Sequence, residues 1–93
     1  LFTQSLAFEA GSAGVRVNAI APGMVETPQL LRNVSTMPPE AQEQMKQNAS
    51  ALIPLGRIGN VDDIGRAAAF LASDAAAWVT GAVLSVDGGV TTH

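Results

Sequence analysis

The chain opens with a helical spacing. Phe2, Leu6 and Ala10 recur every four residues, with Leu1 and Phe8 nearby, and predict one apolar stripe on a helix over residues 1–10. Gly11 and Gly14 supply stop signals. The period then changes to two. Val15, Val17, Ala19 and Ala21 point one way, and Arg16, Asn18 and Ile20 the other, which predicts a strand over residues 15–21. This run halts at Pro22-Gly23, and a second halt, Thr27-Pro28, follows at once.

From Pro28 to Pro54 the chain turns polar, rich in Gln, Asn, Ser and Pro. Pro38-Pro39-Glu40 marks a helix entry, and AQEQMKQNA continues it with Ala41, Met45 and Ala49 on a thin apolar edge. A segment with so little to bury is expected to be mobile. Gly56, Gly59 and Asn60 mark a turn. Asn60 is a candidate N-cap, with Asp62 and Asp63 in the first helical turn, where the helix dipole favours anions. The helix VDDIGRAAAFLAS carries Ile64, Ala68 and Leu71 on one face, beside Ala67 and Phe70. A turn at residues 78–81 leads to a second strand over residues 82–86, ended by Asp87-Gly88-Gly89.

The order is helix, strand, helical insert, helix, strand. Two strands joined by a long crossover containing a helix predict a parallel pair. Such sheets bury both faces under helices and usually contain more strands. The chain is therefore read as one incomplete domain over residues 1–93, with residues 28–53 as an insert within it. The missing initiator Met agrees with that expectation.

Composition narrows the function classes. With 93 residues and 47% hydrophobic content the chain is of the globular kind. Net charge is −3, and the five basic residues are scattered, so no basic stripe exists for nucleic acid. No apolar run is long enough to span a membrane. The absence of cysteine removes thiolate chemistry and fits a reducing compartment, so a cytoplasmic location is expected. His93 stands alone and can complete no metal site.

Candidate chemistry lies at the first halt. Open parallel sheets bind ligands beyond the carboxyl ends of their strands. Pro22-Gly23 occupies that place, where proline would end the ladder and glycine would admit a ligand to the backbone. Val25 offers a backbone N–H and C=O to a planar carboxamide, and Thr27 offers a hydroxyl to an amide or phosphate oxygen. A plain turn followed by a loop start explains the same residues. Asn18 reads as a packing group that needs backbone partners. Arg57 is either solvated or paired with a carboxylate, and Trp78 anchors the last turn or an interface.

Four stretches in order, LFTQSLAFE, VRVNAIAPGMVETP, PLGRIGNVDDIGRAAAFLASDAAAWVTG and LSVDGG, resemble the C-terminal part of the short-chain dehydrogenase/reductase family. The resemblance implies an α/β fold, the C-terminal portion of a Rossmann-type doubly wound parallel sheet. It implies that Pro22, Gly23, Val25 and Thr27 line the nicotinamide end of an NAD or NADP site. It also implies that residues 28–53 form a substrate-binding loop and that the last helix and strand pack across a two-fold axis in homo-oligomers. The family's Tyr-x-x-x-Lys pair is not here: the chain has no tyrosine, and Lys46 lies in the insert. That pair and the glycine-rich phosphate loop would lie upstream of Leu1, so no catalytic residue is assigned. The expectation is a parent oxidoreductase that interconverts an alcohol and a ketone by hydride transfer, with these 93 residues inactive alone. The rival expectation is a non-catalytic association module.

Overall fold

The structure, a computed structural model, is described for residues 1–92. Two strands, β1 (Ala19–Pro22) and β4 (Val83–Val86), run parallel in a register from Ala19–Val83 to Pro22–Val86. Before β1 stands α1 (Phe2–Ala10). Between the strands come β2 (Val25–Glu26), α2 (Pro28–Ser35), α3 (Pro39–Leu52), β3 (Gly59–Asn60) and α4 (Val61–Ala72). β2 and β3 form a second, shorter parallel pair. The expected element order holds, with three additions: α2 and the short strands β2 and β3 were not expected. Thr27 caps α2 by accepting from the Leu30 amide at 3.1 Å, and Pro28 takes the first helical position.

The first strand is shorter than its alternation predicts. Residues 15–18 are held to the stretch before β4 by mixed contacts instead of a ladder. The Thr80 hydroxyl accepts from the Val17 amide at 3.0 Å. Asn18 spans the gap, Nδ2 donating to the Val79 carbonyl and Oδ1 accepting from the Ala82 amide, both at 3.0 Å. These are the backbone partners the sequence demanded of it. Arg16 donates to the carbonyls of Leu71, Val79 and Ser73 at 2.7, 3.2 and 3.3 Å, so it closes the C-terminal end of α4.

Pro22 does not end the ladder. The Ala19 amide donates to Ala82 and the Gly23 amide to Val86, at 2.9 and 3.0 Å. In a parallel ladder alternate residues turn their backbone groups to the same side, so residues 19, 21 and 23 face β4 and Pro22 faces away. Its missing N–H leaves no partner orphaned.

The buried apolar positions among the described residues are Ala7, Ala49, Ile53, Leu71 and Ala76. On α1 the stripe of Phe2 and Leu6 faces outward, Phe2 being 80% exposed. Ala7 faces inward and packs beside Gly81, where a Cβ would lie at ordinary contact distance, 3.5 Å from the Ala7 Cβ. On α4, Leu71 is buried and Ile64 and Ala67 are half-buried, whereas Ala68 is exposed. Trp78 is 99% exposed and anchors nothing within the chain. The radius of gyration is 16.8 Å, against about 12 Å for a compact chain of this length. Large apolar faces therefore stand open.

Candidate functional site

The carboxyl ends of β1 and β4 lie together, and the chain leaving β1 crosses the chain leaving β4. A Cβ on Gly23 would stand 2.6 Å from the Asp87 Cβ and 2.8 Å from its Cα. The glycine thus permits a backbone crossing, which is a reason for it independent of any ligand. Asp87 is fastened in turn: its Oδ1 accepts from the Gly89 amide at 2.9 Å and its Oδ2 from the Thr91 amide at 3.2 Å. Hydrogen bonds from the Thr91 side chain and the Gly89 amide hold its carboxyl below the usual range.

A third segment joins this crossing. The end of α3 leads to Ile53, which is buried, and the Leu55 amide donates to the Gly88 carbonyl at 3.0 Å. Gly88 has φ +66°, and a Cβ on it would meet the Ile53 Cγ2 at 2.5 Å. Sequence reasoning treated Gly88-Gly89 only as a terminator. Adjacent glycines after a strand were the available signal for a close approach.

Beyond the crossing, Pro22, Gly23, Val25 and Thr27 line one open concavity of about 430 Å³, together with Val61 and Ile64 of α4. All four sequence-derived candidates therefore share a single wall. Val61 and Ile64 were missed as site residues, since their helical spacing marked them only as packing positions. Val25 pairs with Gly59, and the Gly59 amide donates to the Met24 carbonyl at 3.0 Å. The alternation of a parallel ladder turns the Val25 amide and carbonyl to the opposite edge. No other strand pairs there among the described residues. Thr27 spends its oxygen as the α2 cap, and its O–H keeps a proton to donate.

Behind that wall Arg57 pairs with Asp63. Nη1 donates to Oδ2 at 2.8 Å and Nη2 to Oδ1 at 3.1 Å. The same Asp63 forms a capping box with Asn60: its Oδ2 accepts from the Asn60 amide at 2.8 Å, and Asn60 Oδ1 accepts from the Asp63 amide at 3.1 Å. These bonds, from Arg57 first and the Asn60 amide second, lower the Asp63 carboxyl from its ordinary 3.8 to about 2. Asp63 is thus a helix-start anion, as its position suggested, and Arg57 takes the paired alternative. No grouping of His, Cys, Asp and Glu able to hold a metal exists among the described residues, and none of their helices is long and apolar enough to cross a membrane.

The chain is similar to known proteins in sequence and in fold. The family profile described as "Enoyl-(Acyl carrier protein) reductase" matches residues 1–91. The 3beta-hydroxysteroid dehydrogenase 1 of Eggerthella lenta is 44% identical over 93 residues, all of this chain and 33% of that protein. A solved oxidoreductase of Burkholderia thailandensis, assigned to the short-chain dehydrogenase/reductase family, superposes with a TM-score of 0.82 at 41% identity, over 99% of this chain and 34% of that one. The NADPH-bound structure of a short-chain oxidoreductase with an atypical catalytic center from Pseudomonas aeruginosa superposes with a TM-score of 0.83 at 39% identity, over 99% of this chain and 35% of that one. The chain thus spans about a third of the length of the proteins it matches.

Proposed function

The chain belongs to the short-chain dehydrogenase/reductase family, and from that premise we propose that its concavity is the nicotinamide end of an NAD(P) site in an alcohol/ketone oxidoreductase. The observation that carries this reading is the convergence of Pro22, Gly23, Val25 and Thr27 beyond the carboxyl end of β1, with the Val25 backbone turned to an edge that no strand pairs among the described residues. A flat carboxamide fits that edge, because one peptide unit offers it both a donor and an acceptor. The Val25 N–H would bind its oxygen and the Val25 C=O its amide hydrogens. The Thr27 O–H would donate to an amide or phosphate oxygen. Pro22, Val61 and Ile64 would exclude water from one face of the ring. When bound, the nicotinamide supplies or accepts the hydride.

The acid–base pair of the reaction would come from parts of the protein outside these residues, which contain no tyrosine and one lysine, Lys46, on α3. Residues 28–53 would border the substrate. The names of the relatives support this reading: one is a hydroxysteroid dehydrogenase and another holds NADPH. Phe70 of α4 and Val83 and Leu84 of β4 are exposed apolar residues, which supports a homo-oligomer involving these two elements, and sedimentation of the full-length protein tests it.

The test of the cofactor reading is titration of the full-length protein with NADH and NADPH. One of them should bind, and Thr27→Val should weaken it about five-fold, the worth of one hydrogen bond, while Thr27→Ser should not. Failure to bind either dinucleotide, or indifference to Thr27→Val, overturns the assignment.

A further inference from the structure

Resting on the cofactor reading above, we infer that Asp63 and Arg57 are positioning residues that set the nicotinamide wall from behind, through the β2–β3 pair. β2 is two residues long and pairs only with β3 among the described residues. Such a ladder has almost no stability of its own. What holds β3 is the cap of α4. Asn60 is both the last residue of β3 and the N-cap, and Asp63 grips its amide at 2.8 Å. Arg57 lies just before β3 and grips both Asp63 oxygens, so the carboxylate spans the strand from one end to the other.

The geometry connects this brace to the site. Arg57 and Asp63 line a small cavity of about 160 Å³ whose lining also includes Val25 and Ile64, two residues that line the candidate site on its other flank. One carboxylate therefore sets the start of α4, which brings Val61 and Ile64, and the register of β3, which brings Val25 through the Met24–Gly59 bond. The pair is placed to govern binding of the dinucleotide without touching it. A merely structural ion pair at this half-exposed position would change stability slightly and leave the cofactor alone.

The experiment measures cofactor affinity, kcat and amide hydrogen exchange on the full-length protein for Arg57→Gln, Asp63→Asn and the double variant. Each single variant should raise the cofactor Kd about three- to five-fold, with kcat at saturating cofactor within a factor of about two. The double variant should be no worse than either single one, since both remove one interaction. Arg57→Lys, which keeps the charge, should recover part of the loss. Exchange should quicken at the Gly59 and Asn60 amides. Faster exchange there with unchanged Kd overturns the positioning role, and so does unchanged exchange. Exchange reads β3 without cofactor, whereas a wild-type protein that binds no dinucleotide sinks the cofactor reading itself, so the two failures are told apart.

Discussion

The chain contains two parallel strand pairs, and they are held in opposite ways. β1 and β4 are joined by contacts between residues far apart in sequence: Arg16 reaches Leu71 across 55 positions, and Asn18 reaches Ala82 across 64. β2 and β3 are braced by neighbours: Asn60 and Asp63 are three positions apart, and Arg57 and Asp63 six. The first pair depends on neutral groups meeting carbonyls and amides, together with one arginine that meets three carbonyls. The second depends on one charged side-chain pair near water. A long-range junction forms only with the fold as a whole, whereas a local brace can loosen while the fold stands. Each pair gives one residue to the candidate site, Pro22 from the first and Val25 from the second, and the locally braced pair is the one that salt and acid should reach.

The largest effect should come from Gly23→Ala at the end of the long-range pair. Its methyl would stand 2.6 Å from the Asp87 Cβ, and unfolding in urea should show a loss of about 3 kcal/mol, the cost of overpacking. Next comes Asn18→Ala, which takes the side-chain acceptor from the Ala82 amide and one of two donors from the Val79 carbonyl, which keeps Arg16; about 2 kcal/mol should be lost in the same assay. Asn60→Ala, in the local brace, should cost about 1 kcal/mol, the usual worth of an N-cap. If Asn60→Ala proves costlier than Asn18→Ala, the contrast between the two pairs is wrong.

The smallest effect is a pH dependence. The Asp63 carboxyl is lowered in the folded chain to about 2, so its contribution is complete above its ordinary 3.8 and is lost as pH falls toward 2. Asp87 is lowered too and acts in the same direction. Urea midpoints measured from pH 5 to about pH 2 should therefore fall, less steeply in Arg57→Gln, which removes the main cause of the Asp63 shift. Salt at about 1 M should shrink the difference between the two proteins. Equal slopes in both would mean that the ion pair contributes nothing.

Much of this was readable in the residues, and the misses share a cause. Helix starts at Pro39 and Val61 and the parallel pairing follow from local signals: a proline at the first turn, an Asn followed by two Asp, and a crossover too long for a hairpin. The four wall residues could be nominated because they stand where a strand stops. The structure brings them together, while their partners Val61 and Ile64 come from a helix about 35 positions away and carry no local mark. The inward face of α1 was not legible for the same reason. Spacing shows which residues share a stripe, but not which neighbours the helix meets, and here Ala7, beside Gly81 of a distant segment, is the residue that faces inward. Pro22 was misread because a strand's two edges are distinguishable only after its partner is known.

One exposed residue has a practical use. Trp78 is the chain's single indole, no tyrosine competes with it, and it lies almost wholly in water, lining a different concavity from the four wall residues. Its emission therefore comes from one chromophore at one known place. A shift toward the blue would announce that another surface, from the same protein or a second copy, has settled over residues 74–80, and would do so without any label.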